Sequence, residues 1–423
     1  MVCRLDRAGA CGDSRRMARG IRKDADLLIV GGGMVGVALG VAVARAGLSV
    51  VLAEREDPGK LTAAAHDGRV TSVALGSHRL LAATGIWDSL ADEAEPILDI
   101  RVSDAGSPLF LHFAHEALGE EPFGYMVPNT ALRRGLYAVA RDTPNLDLRA
   151  PMPLAAIERG SSRVTATLGD GSTVTAPLVV AADGRRSGLR TEAGIRALEW
   201  RYKQTAIVCT VAHERPHGGV AREHFLPSGP FAMLPMRGNR SSLVWTERED
   251  LAPAMLALDA AAFDAEVARR FGDHCGATKV DGLRWSFPLG LLHAERYVAH
   301  RLALVGDAAH AMHPIAGQGL NVALRDVAVL AELLVDAARL GLDLGDAGLL
   351  KRYERARRFD ALTFLVATDG LNRLFSTSAP PVKLVRNLGL GLVNRLPRLK
   401  HVFMTRAAGV GAPLPRLLRG AAL

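Results

Sequence analysis

Apolar residues occur along this chain in short runs that end abruptly in glycine or an acid. Leu27 to Val30 is the first run, continuous rather than alternating, as expected of a parallel strand covered on both faces. Glycines follow. Val37, Leu39, Val41 and Ala44 then recur as in a buried helix, with Gly47 as its stop. A second strand is expected from Leu48 to Ala53, closed by Glu54. The pattern returns at Val179–Ala181, before Asp183-Gly184, and at Leu302–Val305, before Gly306-Asp307. Residues 98–114 and 203–248 alternate instead, and the second stretch reads as a meander of strands with Gly-Pro and Gly-Asn turns. Leu320, Ala323, Leu324, Val327 and Leu330 return at helical spacing, and residues 346–423 read as further helices, amphipathic and strongly basic at first. The order predicts an α/β fold, α+β overall. A discontinuous Rossmann-like domain (25–96, 124–196 and 295–342) carries an inserted mixed β-sheet domain (97–123 and 197–294) and a C-terminal helical region (343–423).

Composition adds bounds. The 423 residues exceed one small core, and 49% are hydrophobic, enough for a large one. The net charge of +8 is mild and suits a slightly basic surface or attraction to an anionic membrane. Basic residues are not interleaved with aromatics, so nucleic acid is not an expected partner. Cys3, Cys11, Cys209 and Cys275 form no C-x-x-C pair, which signals neither a zinc site nor a redox dithiol and fits a reduced, cytoplasmic compartment. No run reaches the ~18 apolar residues of a membrane span. Residues 1–24 lack the apolar segment of a signal peptide and are expected to be a disordered extension, with Met17 as an alternative start.

The chemistry begins at the first turn. Gly31, Gly33 and Gly36 spell G-x-G-x-x-G between strand and helix. The first glycine serves a tight turn, the second the approach of backbone to a pyrophosphate, and the third close helix packing. Glu54, ending the next strand, is placed to accept hydrogen bonds from an adenosine ribose. Together these point to a dinucleotide, either FAD or a nicotinamide nucleotide. Asp183-Gly184 and Gly306-Asp307 each present a carboxylate at a strand end, suited to a sugar-like chain such as a ribityl.

These three anchors, in this order and spacing, resemble the FAD-dependent aromatic hydroxylases, the single-component flavin monooxygenases, over about residues 25–345. The stretch "HPIAGQGLN", His313 to Asn321, looks like the signature of the ubiquinone-biosynthesis hydroxylases, although Ala323 stands where that family usually has glycine. The resemblance implies FAD as cofactor, with Arg69 near the flavin and Asn129, backed by Leu132, where a Gln or similar side chain meets it. It implies NAD(P)H or a partner reductase as electron donor; no second nucleotide fingerprint is present. It implies O2 adding at the flavin C4a to give a hydroperoxide, which hydroxylates a prenylated phenol. Membrane access follows from so lipid-like a substrate, with the protein peripheral at the inner face of the membrane or in a quinone-biosynthesis complex. A hydroxylase of a soluble phenol and a low-turnover flavin scaffold are the rival readings.

The glycine-rich stretch before the last Rossmann helix then has a purpose. Gly317 and Gly319 let backbone come against the flavin ring, and the helix opening at Leu320 and Asn321 aims free N–H groups at the ring's pyrimidine oxygen. Pro314, Gly317 and Gln318 form the expected catalytic surroundings, with Gln318 either bonding the ring or capping the helix. Gly306-Asp307 holds the ribityl and pyrophosphate end. His310 and His313 have no third ligand nearby, so they read as structural histidines rather than a metal pair. Phe225, Phe231, Met233, Leu234, Met236 and Trp245 are either sheet core or the lining of an apolar pocket. The tail, with Lys383, Arg386, Arg395, Arg398 and Lys400, either lies on a membrane or partner or packs on the FAD domain.

Overall fold

The structure, a computed structural model, describes residues 22–63, 68–104, 110–375, 396–411 and 413–423. Its centre is a six-stranded sheet in the order Val298–Ala299, Leu302–Leu304, Leu178–Ala181, Leu27–Val30, Val50–Ala53, Leu146–Arg149. Five strands are parallel, and the short Val298–Ala299 edge is antiparallel. Every residue of Leu27–Val30, Val50–Ala53 and Leu178–Ala181 is buried, which is why these runs are uninterrupted in the sequence. The second strand starts at Val50 rather than Leu48, because Ser49 donates its N–H to the Asp26 carboxylate at 2.7 Å. Helices Met34–Arg45, Asn129–Asp142 and Gly319–Arg339 pack on this sheet and on one another. A four-stranded sheet of Arg22–Asp24, Thr173–Ala176, Val164–Leu168 and Leu154–Arg159 feeds Val164, Ala166, Leu168 and Val174 into the same core. Of the expected disordered extension, residues 1–21 with Cys3, Cys11 and Met17 lie outside the described residues. Arg22–Asp24 is ordered instead, because it pairs with Thr173–Thr175.

The alternating stretches form an eight-stranded sheet, ordered His310–Ala311, Thr278–Ala294, Ala197–His213, Arg240–Arg248, Gly229–Met236, Val220–Leu226, Asp99–Asp104, Phe110–Ala114. Its period of two separates two faces. Ile207, Cys209, Phe231, Met233, Leu243 and Trp245 point to one side, where Phe263, Val267 and Phe271 of helix Ala260–Phe271 cover them. Phe231, Met233 and Trp245 are therefore sheet core and not pocket lining. The opposite face carries Ala206, Val208, Val244, Phe287 and Leu289 and meets the nucleotide-binding half, where the Arg69 guanidinium lies 5.1 Å from the centre of the Phe287 ring. A three-stranded sheet, Val70–Ala74, Gly124–Pro128 and Glu95–Ile97, lies between the halves.

The C-terminal region packs. Helix Ala347–Phe375 buries Leu350, Tyr353, Arg357, Ala361, Leu365, Thr368, Asn372 and Phe375, one face at helical spacing. Met404 and Ala408 of helix Pro397–Ala408 sit against Leu75 and Met126, and Leu417 and Leu418 join the main core. The tail residues Lys383, Arg386 and Arg395 lie outside the described residues.

A charged group holds the last Rossmann helix in place. Asp326 is fully buried. Its Oδ2 accepts from the Gly306 N–H at 3.0 Å and contacts His310 Nε2 at 2.7 Å; its Oδ1 accepts from Arg357 Nε at 2.8 Å. Burial alone drives this carboxyl upward, but His310 and Arg357 outweigh it and hold the group below its usual value. Its contribution to stability is therefore present at neutral pH and lost as pH falls below the ordinary carboxylate range. Asp326→Ala is expected to cost about 3 kcal/mol or more, because Arg357 and His310 are left buried beside a void. Urea unfolding of the purified protein measures this; a loss below about 1 kcal/mol would mean that Asp360, 2.7 Å from Arg357, compensates.

Candidate active site

The first glycine turn opens onto a cavity of about 810 Å³. Gly31, Gly33, Glu54, Asp183 and Gly184 all line it, so five of the expected residues meet there. The glycines do three different things. Gly31 has φ +107° and lies so close to the Ala182 carbonyl that a side chain would collide with it. Gly36 packs as tightly on the Gly31 carbonyl, which fixes helix to turn. Gly33 faces open space, with nothing within 4 Å of where a Cβ would stand. It precedes helix Met34–Arg45, whose first turn has neither a side-chain cap nor an acid. Those N–H groups and the helix dipole suit a pyrophosphate.

Glu54 is buried, and its carboxylate already accepts from the Gly32 N–H at 2.5 Å and the Glu56 N–H at 2.7 Å. A carboxylate offers about four lone-pair sites, so room for a ribose hydroxyl remains. Tyr137, from helix Asn129–Asp142, donates its hydroxyl to the Gly32 carbonyl at 2.8 Å and locks the turn from above; burial, then Glu54, raises its pKa. Nothing in the sequence marks this contact, which spans 105 residues. Asp183 Oδ2 accepts from the Leu189 N–H at 3.3 Å, while Oδ1 is shut off from solvent with no partner among the described residues. A buried oxygen lacking a donor at a cavity wall fits a ligand hydroxyl or a bridging water. Ser187 caps the short helix that follows, and Arg190 donates to the Arg185 and Ala308 carbonyls, both at 3.0 Å. It thereby sews the Asp183-Gly184 turn to the Gly306-Asp307 turn.

Gly306, at φ +58°, rests on Val35 of the first helix. Asp307 is reached by solvent, yet enough protein surrounds it that desolvation raises its carboxyl, with His310 and Arg185 pulling back. Farther on, His313 is buried and accepts from the Ile315 N–H at 3.3 Å; burial pushes its pKa down to about 4, so it is a neutral support for the Pro314 turn. Pro314 is exposed and leads the turn Ile315–Gly317. Gly317 has φ +61° and lies beside Ser72. Gln318 does not cap the helix; its Nε2 donates to the Ala407 carbonyl at 3.5 Å, because the tail helix comes within its reach. Gly319, like Gly33, has open space where a Cβ would stand, and Leu320 is half-buried. The helix from Gly319 has no side-chain cap and no acid in its first turn.

Two residues expected to meet the cofactor also act as braces. Asn321 donates through Nδ2 to the Ser72 carbonyl (2.8 Å) and the Gly317 carbonyl (3.3 Å), and its Oδ1 accepts from the Ala74 N–H (2.9 Å). Its side chain thus positions the turn. Asn129 accepts from Thr71 Oγ1 at 2.6 Å and donates its backbone N–H to the Arg69 carbonyl at 3.1 Å, fixing the segment that carries Arg69. Sequence reasoning missed Tyr137, Asp326 and Arg357. Asp326 alone left a trace: an acid between Leu324 and Val327, inside the apolar stripe of a helix.

The cleft, the braced turn and the apolar sheet face make a site for an extended dinucleotide whose far end meets an apolar surface. The family model described as FAD binding domain matches residues 24–365. The chain is 56% identical over 404 residues to the ubiquinone hydroxylase UbiL of Rhodospirillum rubrum, covering 95% of this chain and 94% of that one. It is 34% identical to the 3-demethoxyubiquinol 3-hydroxylase of Escherichia coli, covering 91% and 98%. It is 36% identical to the mitochondrial ubiquinone biosynthesis monooxygenase COQ6 of Homo sapiens, covering 90% and 92%. Among solved structures, p-nitrophenol 4-monooxygenase PnpA of Pseudomonas putida shares the fold at a TM-score of 0.76 and 20% identity, covering 93% of this chain and all of that one. Klebsiella pneumoniae HpxO complexed with FAD and uric acid does so at 0.68 and 18%, covering 95% and 97%.

Gly319→Val should fold, since its Cβ meets no protein atom within 4 Å, but should bind flavin poorly because the branched side chain enters the ligand's space. Flavin content and melting temperature of the purified variant check this; full flavin occupancy would place the ring elsewhere.

Proposed function

The chain belongs to the FAD-binding flavin monooxygenases, and from that premise we propose its reaction: insertion of one oxygen atom of O2 into the ring of a prenylated phenol on the way to ubiquinone. The near-full-length match to the Rhodospirillum rubrum ubiquinone hydroxylase carries this reading. FAD is the cofactor. Its ADP portion would lie along Gly31–Met34, Glu54 and Asp183, and its ring beside the Pro314–Gly319 turn. Bound FAD supplies the redox chemistry and the activation of O2. The chain's own part is to bind, orient and keep dry. The uncapped helix at Gly319 favours negative charge on the ring. Arg69, held by the Asn129 brace, adds a cation nearby. The apolar sheet face limits water around the reacting atoms. Electrons come from NAD(P)H or a partner reductase. Residues 25–96, 124–196 and 295–342 form the FAD-binding unit, and 97–123 and 197–294 the substrate unit.

The protein works at a membrane surface on this reading. Among the described residues no helix is long and apolar enough to cross a bilayer. Helix Ala347–Phe375 nevertheless exposes Lys351, Arg352, Arg355 and Arg358 in its first half and Phe359, Leu362 and Val366 just beyond. Val402 and Phe403 of the tail helix are also exposed. Cations beside apolar side chains suit an anionic lipid interface.

Two experiments follow. Deleting the gene should abolish ubiquinone and accumulate a prenylated phenol lacking one oxygen, read by mass spectrometry of lipid extracts; an unchanged quinone pool would point to a soluble phenol instead. Replacing Phe359, Val366 and Phe403 together by Asp should at least halve co-sedimentation with anionic vesicles, since each apolar contact contributes roughly 1.5–3 kcal/mol when buried. Unchanged co-sedimentation would refute the membrane surface.

A further inference from the structure

Glu223 is an acid that none of the roles above employs. It lies mid-strand in Val220–Leu226, opposite Val102 on one side and Ala232 on the other. Alternation puts it on the same face as Ala221 and Phe225. Both neighbours touch the other half of the molecule. Ala221 packs with Leu75 and Met126, and Phe225 packs with Ile315 of the flavin-side turn. Glu223 stands between these contacts, so its carboxyl faces the gap between that turn and the three-stranded sheet. The braces of Asn321 to Ser72 and Gly317 span the same gap.

The surroundings suit an aromatic ring. From Glu223 the register runs across Ala232, Val244 and Val208 to Trp285. Three short apolar side chains make a shallow floor between the acid and the aromatic end, where Gly68 lies against Trp285. No hydrogen bond or ion pair engages Glu223 among the described residues. The acid keeps partial access to open space, although burial pushes its carboxyl up to about 7. Charged groups on the packed elements leave it alone. Arg101, Arg222 and His224 lie on the other face, Asp369 and Arg373 pair with each other, and Lys400 sits over Phe113. Asp104 is buried at the end of the adjacent strand.

We infer that Glu223 is the proton acceptor for the hydroxyl group of the phenol substrate. The inference rests on the hydroxylase reading. The phenol O–H bond breaks, its electron pair stays on oxygen, and the proton forms an O–H bond on the Glu223 carboxylate. Nothing is oxidised or reduced in that step. The ring carbon to be hydroxylated gains nucleophilicity as the proton leaves; when the hydroxylated ring regains aromaticity, its C–H bond breaks, that electron pair re-enters the ring, the C–H proton leaves to solvent, and the Glu223 proton returns to the phenol oxygen. A base that titrates near neutrality is matched to this task.

A single turnover separates this inference from the reading beneath it. FAD-loaded protein is reduced with dithionite and mixed with O2 and 2-geranylphenol. The wild-type rate should fall as pH drops through about 7, where the carboxylate takes up its proton. Glu223→Gln should keep its flavin and lose about 100-fold in rate, together with the break in the pH profile; Glu223→Asp should keep the break. A Gln variant with wild-type rate and profile overturns the proposal and leaves the hydroxylase reading standing. If the wild type forms no product, that reading fails for this phenol, and binding decides the role of Glu223. The ¹⁹F resonance of bound 4-fluoro-2-geranylphenol should then shift across pH 7 in the wild type and Asp variant but not in the Gln variant. The same titration in all three proteins overturns the proposal.

Discussion

The carboxylate of Asp326 is the constraint on which the flavin side of this molecule depends. It is fully buried, and burying a charge is costly unless it is matched from several directions. Here the match comes from the Gly306 N–H, from His310 and from Arg357. These belong to the strand-end turn, the segment after it, and helix Ala347–Phe375. None can move without exposing an unmatched charge, so the turn and the last Rossmann helix behave as one body. Arg190 extends that body to the Asp183-Gly184 turn. Three motifs far apart in sequence are thus held in register by two charged side chains, neither of which need touch a ligand.

The eight-stranded sheet is governed by a different constraint, the period of two along its strands. One face is sealed by helix Ala260–Phe271, which uses up the largest side chains, Phe231 and Trp245 among them. The other face carries short apolar residues such as Ala206, Val208, Ala232 and Val244, the aromatics Phe225, Trp285 and Phe287, and a few polar ones. Thr210, Ser242 and Thr246 lie on it with buried hydroxyls that have no partner among the described residues. A surface of this kind would suit the mostly hydrocarbon substrate proposed, with sparse hydrogen bonds to orient its polar end.

Legibility in the sequence followed locality. The strand, glycine turn, helix and Glu54 are consecutive, so spacing alone located that part of the cleft. Gln318 and Asn321 were named from the same local pattern, but their side chains are directed by the tail helix and by the strand Val70–Ala74. Those partners are distant in sequence, and no periodicity announces them. The apolar residues of the meander were ambiguous for a related reason. Alternation divides them into two sets, but only tertiary packing says which set a helix will cover. The tail shows the same limit, since its amphipathic pattern fits a membrane or a core equally well. Met404, Ala408, Leu417 and Leu418 settle on the core, while Phe359, Val366 and Phe403 remain outside.

Two acids, Asp307 and Glu223, share a feature that links the halves. Each is reached by solvent and yet lies deep enough for desolvation to raise its carboxyl. Surface acids are exposed without that rise, and core acids such as Asp326 are enclosed by partners. A deep acid that keeps open space is a candidate to meet a ligand there. Asp307 follows a strand of the nucleotide-binding sheet, where the hydroxyls of the proposed cofactor would donate hydrogen bonds without giving up a proton. Glu223 sits on the substrate sheet, where a phenol has a proton to surrender. The same desolvation therefore has two uses. At Asp307 it would strengthen hydrogen bonds to the proposed cofactor by excluding water, and at Glu223 it would bring a carboxylate toward the basicity that proton transfer from a phenol requires.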